Sequence, residues 1–259
     1  MAYYYRKVLY NPKDTNFFKL SRSKIDLFVE CPRCFYFDRR LGVSRPQGFP
    51  FTLNSAVDTL FKKEFDIYRA KGEAHPLMKA YGLDAVPFKH PKMDVWRENF
   101  TGVQALHRPS NFLIFGAVDD LWVTPKNEVI VVDYKSTALN KEITLDEEWK
   151  DGYKRQMEVY QWLLRQNGLQ VADTGYFVYA NGHTDRPTFD GKLEFKVTLL
   201  PYTGNAAWIE PKLMEIKECL NSDKIPEAVT TCEYCKFVKE RMAYEGDKKP
   251  TQSDLFGAG

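Results

Sequence analysis

Glu128-Val129-Ile130-Val131-Val132-Asp133-Tyr134-Lys135 is the stretch on which the fold turns. Its apolar, β-branched run has no helical spacing and reads as a strand that ends in charge. Side chains two residues apart share a side of a strand, so Asp133 and Lys135 point the same way. Upstream, Phe112 to Val123 is a second β-rich run, and Pro125-Lys126-Asn127 joins the two, which predicts a hairpin. Gly116-Ala117-Val118-Asp119 falls in its first strand, so pairing brings the Asp119 and Asp133 carboxylates toward one point. Farther out, Leu53, Ala56, Val57, Leu60, Phe61, Phe65 and Tyr68 keep helical spacing and predict an amphipathic helix that packs on the sheet. A long helix from about Leu145 to Gln166, strands near Thr174 to Tyr179 and Leu193 to Leu199, and a helix from Asn205 to Leu220 follow. Helices alternating with strands give an α/β fold.

A chain of 259 residues, 44% of them hydrophobic, is long enough to bury a sizeable core. The formal charge of +2 is nearly balanced, so contact with nucleic acid requires a local cluster such as Arg33, Arg39, Arg40 and Arg45. The N-terminus carries no apolar leader, and no stretch approaches the roughly 18 apolar residues of a membrane span, which predicts a cytoplasmic protein without membrane attachment. In that compartment cysteines are metal ligands or reduced thiols rather than disulfides. Ser23 and Asp26 resemble a capping box opening a short helix that Pro32 breaks. The pair Cys31-Pro32-Arg33-Cys34 is then expected in a turn. Its counterpart is Cys232-Glu233-Tyr234-Cys235, and two such pairs supply four thiolates to one metal centre that ties the two ends of the chain together. A 4Fe–4S cluster and a tetrahedral zinc both accept four cysteines. Cys219, on the apolar side of its helix, reads as a buried free thiol.

Two hard oxygen ligands at one point, Asp119 and Asp133, suit magnesium or manganese. An ammonium beside a metal-bound carboxylate, as Lys135 offers, orients an attacking water and offsets charge developing on a phosphate. Gln156 and Tyr160, four residues apart, share a helix face above the same sheet edge. Within the Leu53–Tyr68 helix, Asp58 falls at the edge of the apolar stripe, as a solvated residue does, and Glu64 near its centre, where an unpaired acid is costly, so Glu64 is a candidate ligand or an acid paired with a base.

Gly116-x-x-Asp119, Asp133-x-Lys135 and Gln156-x-x-x-Tyr160, in that order, resemble the motif set of the RecB-like branch of the PD-(D/E)XK nuclease superfamily. Leu20-Ser21-x-Ser23-x-Ile25 ending at Cys31-Pro32 is similar to the opening segment of its iron-sulfur members, which include CRISPR-associated RecB-like exonucleases. The resemblance implies a restriction-endonuclease-like core with a central mixed sheet flanked by helices and a cysteine clasp. It implies an N-terminal extension over residues 1–20, a nuclease domain over 21–245 with an irregular insertion at 72–109, and a disordered tail over 246–259. The implied activity is hydrolysis of DNA with magnesium or manganese, from ends or on single strands. Asp119, Asp133, Lys135, Gln156 and Tyr160 are then catalytic, with Asp58, Asp119 and Asp133 on the metal.

Two departures accompany that resemblance. Asp58 in Leu53-Asn54-Ser55-Ala56-Val57-Asp58 stands where relatives carry a metal-ligating histidine. The iron-sulfur relatives use one N-terminal and three C-terminal cysteines, whereas here Arg241 holds the last place and Cys34 makes the set two plus two. The resemblance favours 4Fe–4S over zinc. Its alternative outcome is a nucleic-acid-binding accessory protein that kept the clasp and lost efficient cleavage. No phosphate-binding loop is present, so unwinding requires a helicase partner, and CRISPR adaptation proteins are the other partners the resemblance implies. In the tail, Gln252-Ser253-Asp254-Leu255-Phe256 resembles the motif by which replication and repair proteins bind a bacterial sliding clamp, with Gln252, Leu255 and Phe256 as anchors.

Overall fold

The computed structural model describes residues 8–49 and 52–245. In chain order its elements are β1 (Phe18–Ser21), α1 (Arg22–Glu30), α2 (Pro32–Arg39), α3 (Thr52–Lys71), α4 (Pro76–Ala80), β2 (Val86–Pro87), α5 (Met93–Trp96), β3 (Val103–His107), β4 (Phe112–Gly116), β5 (Asp120–Val123), β6 (Val129–Thr137), α6 (Asp151–Gln166), β7 (Thr174–Gly182), β8 (Phe195–Thr203), α7 (Ile209–Asn221) and α8 (Glu233–Glu245). Two compact units divide the described residues: one takes Lys13–Asp26 and Gln47–Lys217, the other Leu27–Pro46 with residues 8–12 and 218–245. Among the described residues no helix is long and apolar enough to cross a membrane.

The larger unit is a mixed α/β fold. Its five-stranded sheet has the order β2-β5-β6-β7-β8, antiparallel except for the parallel β6–β7 pair. Alternation along β6 decides which helix covers which face. Ile130, Val132 and Tyr134 join Val178 and Ala180 of β7 in a core closed by Phe61 and Phe65 of α3. Phe65 stacks on Trp122 with centroids 5.4 Å apart. The other face carries Asp133 and Lys135 and meets α6, where Met157 sits so close that a Cβ at Gly175 would collide with its sulfur. A three-stranded sheet, β1-β4-β3, with β1 parallel and β3 antiparallel to β4, completes the unit.

The expected hairpin forms only in part. The run from Phe112 to Val123 is two strands in two sheets: β4 pairs with β1 and β3, and β5 pairs with β6. Asp119 therefore lies in the crossing between sheets rather than within a strand. Gly116 permits the crossing, since a Cβ there would lie 2.7 Å from Cε1 of the Tyr160 ring. On α3 the buried side is Phe61, Phe65 and Arg69, whereas Leu53 and Leu60, expected inward, are 59% and 62% exposed. Arg69 takes an inward position because buried Asp120 pairs with it. The stretch 72–109, expected to be irregular, contains α4, β2, α5 and β3, and buries Met78, Met93, Trp96 and Val103. Its anchoring side chains are isolated large residues, which leave no periodic trace in sequence.

In the smaller unit Cys31 caps the start of α2, with Pro32 in the first turn where its missing N–H costs nothing. The cysteine pair thus occupies a helix start rather than a turn, and Cys232 likewise directly precedes α8. Helix α1 begins at Arg22, and Asp26 is ion-paired with Arg155 at 2.5 Å rather than capping.

Candidate active site and cysteine centre

The end of β6 and the first half of α6 bring four of the five expected catalytic residues together. Asp133 is fully buried and ion-paired with Lys135. Gln156 Nε2 donates to Asp133 Oδ1 at 2.8 Å and to the Tyr160 hydroxyl at 3.1 Å, while the Lys135 ammonium reaches Gln156 Oε1 at 3.5 Å. The ring of Tyr153 lies 4.5 Å from the same ammonium. Burial, and then the Asp119 carboxylate, push the Asp133 carboxyl up to about 7 against the pull of Lys135. Burial opposes the charge on Lys135, but Asp133 and Asp119 hold its pKa above the usual lysine value.

Asp119, the fifth, is fixed from several sides. Its Oδ2 accepts from the Tyr134 backbone N–H at 3.0 Å, and its carbonyl accepts from Arg97 Nε at 3.0 Å. Arg97 also pairs with Asp66 at 2.9 Å and with Asp120 at 3.0 Å; Asp120, fully buried, further engages Arg69 and takes the Tyr134 hydroxyl at 2.7 Å. These residues hold the sheet crossing in place. Their spacing carried no signal in sequence, although an acid directly after the expected ligand and adjoining a strand is a candidate for a buried partner.

Asp58 faces Asp119 across Lys62, whose ammonium lies 2.8 Å from Asp58 Oδ2 and 3.4 Å from Asp119 Oδ1. Burial and the Asp119 charge raise the Asp58 pKa. Glu64 does not belong here: its side chain is 55% exposed and pairs with His75 at 2.8 Å. A hard cation fits the oxygens of Asp119 and Asp133, since the two carboxylates repel each other and each already draws an ammonium, Lys135 on Asp133 Oδ2 and Lys62 on Asp119 Oδ1. Among the described residues the grouping of metal-ligating side chains that stands out is a different one, the four cysteines.

In the smaller unit the sulfurs of Cys31, Cys34, Cys232 and Cys235 all lie within 4.8 Å of one another, tying an N-terminal to a C-terminal segment. Cys34 is 3.6 Å from both Cys232 and Cys235, and Cys31 is 3.8 Å from Cys235. Arg45 donates to Cys232 Sγ at 3.6 Å, pairs with Glu30 at 2.6 Å and covers the Tyr234 ring at 4.6 Å. Four thiolates carry excess negative charge, and this guanidinium offsets it. The remaining arginines of the expected nucleic-acid cluster also make contacts inside the unit: Arg33 with the Pro226 carbonyl, Arg39 with that of Val8, Arg40 with Asp223. Cys219 is half-buried, not buried, and lines an apolar groove with Phe28, Pro32, Ile225 and Pro226. Gln252, Leu255 and Phe256, with the whole expected tail 246–259, lie outside the described residues.

Strand-end Asp133-x-Lys135, Asp119 at a sheet crossing and Gln156 above them form one acidic, hydrogen-bonded cluster on a mixed sheet. The model of the PD-(D/E)XK nuclease superfamily matches residues 68–239. The chain belongs to that superfamily. Among curated proteins none matches it. A solved structure titled "Crystal structure of SSO0001" is similar over 88% of this chain and 86% of that chain, at 17% identity and a TM-score of 0.39, a likeness that carries no weight for fold or function.

Proposed function

We propose that the chain is a metal-dependent DNA nuclease of the RecB-like branch that works from ends or on single strands. The observation that supports it best is the hydrogen-bonded set Lys135, Asp133, Gln156 and Tyr160 beside Asp119. Magnesium or manganese held by Asp119 and Asp133 would supply Lewis acidity toward a phosphate oxygen. Lys135 neutralises charge on the scissile phosphate and orients a water, and Gln156 fixes the Asp133 carboxylate through its Oδ1 while Lys135 pairs with its Oδ2. Asp58 flanks the site through Lys62. The cysteine centre holds a metal that shapes the smaller unit. Resemblance to iron-sulfur relatives favours 4Fe–4S. The sulfur spacings of 3.6 and 3.8 Å favour one four-coordinate ion such as zinc, because Zn–S bonds of about 2.3 Å set tetrahedral sulfurs about 3.8 Å apart. A four-iron cube spreads its thiolates wider, since each binds a different iron. The tail sequence from Gln252 to Phe256 adds a sliding-clamp contact, and a helicase or CRISPR adaptation proteins are the other partners of this reading.

The test is digestion of end-labelled single- and double-stranded DNA with magnesium or manganese. Asp133→Asn and Lys135→Ala are expected to lose at least about a hundredfold in rate with far-UV circular dichroism unchanged. Wild-type rates in either folded variant would exclude the assignment. Metal analysis of anaerobically purified protein separates brown, iron-loaded material from colourless, zinc-loaded material.

A further inference from the structure

Lys62 is the residue near the carboxylates that the catalytic reading leaves without a task. It stands four residues after Asp58 on α3, hence on the same helix face. Its ammonium touches both Asp58 Oδ2 and Asp119 Oδ1. The other Asp119 oxygen is already committed to the Tyr134 N–H, so Oδ1 is the atom with which Asp119 would take a cation, and Lys62 stands on it. The pair is partly shielded from solvent, with the lysine side chain 24% and the Asp119 side chain 23% exposed, so screening by water is incomplete. The two contacts are unequal: 2.8 Å to Asp58 and 3.4 Å to Asp119. Asp58 is thus the stronger tether, and Asp119 the carboxylate more easily released.

We propose that Lys62 is an internal counter-cation of the metal site, occupying the Asp119 oxygen in the metal-free protein and withdrawing onto Asp58 when a divalent cation binds. This rests on the metal-site reading above. Asp58 then acts as the anchor of the displaced ammonium, and the pair adds no net charge to the site. The lysine sets the affinity for metal: a positive charge a few ångströms away must be displaced before Asp119 can ligate.

The experiment is calorimetric titration of Mn²⁺ into the full chain, loaded at its cysteines, for wild type, Lys62→Met and Asp119→Asn. Lys62→Met is expected to bind Mn²⁺ roughly tenfold more tightly than wild type, and Asp119→Asn to lose the site. Equal or weaker binding by folded Lys62→Met would overturn the inference alone, whereas wild type without Asp119-dependent binding would overturn the metal site and the inference together. Should Lys62→Met fail to fold, amine-reactive labelling of wild-type Lys62, read by mass spectrometry, is expected to rise as Mn²⁺ is added. Labelling that stays constant or falls would overturn the displacement.

Discussion

Single residues carry more of the chemistry here than their sequence neighbours suggest. Cys219 is the fifth cysteine and the one outside the cluster. Burial alone pushes its thiol up to about 11. The thiolate is the reactive form, so its fraction at pH 8 is far below that of a free cysteine of pKa about 8.5. Labelling of Cys219 by iodoacetamide in the native protein is therefore expected to be slow at pH 8 and to climb steadily up to about pH 11; a rate matching a free thiol at pH 8 would show the groove to be open to solvent. The sign for stability follows from the same shift: the folded thiol holds its proton longer than the unfolded one, so this group leaves stability unchanged below about pH 9 and erodes it between there and pH 11. Asp133, Lys135, Gln156 and Tyr160 were legible because strand period and helix period are local and fix which side chains share a side. Lys62, Arg97 and Asp120 were not, because their meaning depends on partners 57, 22 and 51 positions away in the chain. Glu64 misled because the apolar stripe of α3 was centred on leucines that the fold leaves outside.

At the level of elements, α6 links the central strand β6 to the edge strand β8. One side carries Gln156 and Tyr160; another carries Glu158, whose carboxylate accepts from the Tyr202 hydroxyl at 2.6 Å, the Asn205 N–H at 3.1 Å and the Trp208 indole at 2.6 Å. Tyr202 belongs to β8, and Asn205 caps the short 3-10 turn Ala206–Trp208 before α7. One buried carboxylate thereby closes the edge strand onto the helix. Glu158→Ala strands three donors and is expected to cost about 3 kcal/mol, a fall of about 6–12 °C in melting temperature for a unit of this size. Glu158→Gln, which keeps an acceptor, is expected to cost about half as much. Equal melting temperatures for all three proteins would mean that the β8 end is held by its backbone ladder alone. Strands β6, β7 and β8 could be placed from sequence because long apolar or alternating runs outweigh their ends. The split of Phe112–Val123 into β4 and β5 could not, since a change of sheet is decided by what packs against Gly116.

For the molecule as a whole, the cysteine clasp is the feature on which the smaller unit depends. Helix α8 exposes Phe237, Val238, Met242 and Tyr244 at 64%, 53%, 66% and 93%, so burial contributes little to holding it. A 13-residue helix is marginal by itself in water. Among its attachments are Cys232 and Cys235 to the other two cysteines and Tyr234 beneath Arg45. Metal binding by such a set would be folding free energy, because the four ligands are brought together only in the folded chain. Cys232→Ser, or removal of any metal bound at the cysteines of wild type, is therefore expected to strip amide-exchange protection from α8 and from the start of α2. Strands β6 and β7, in the other unit with the core of Val132, Tyr134 and Val178, are expected to keep theirs. Peptide-level hydrogen exchange distinguishes the cases: α8 protected in the metal-free variant would show that packing rather than ligation holds it, and joint loss in β6 and β7 would show that the two units unfold as one.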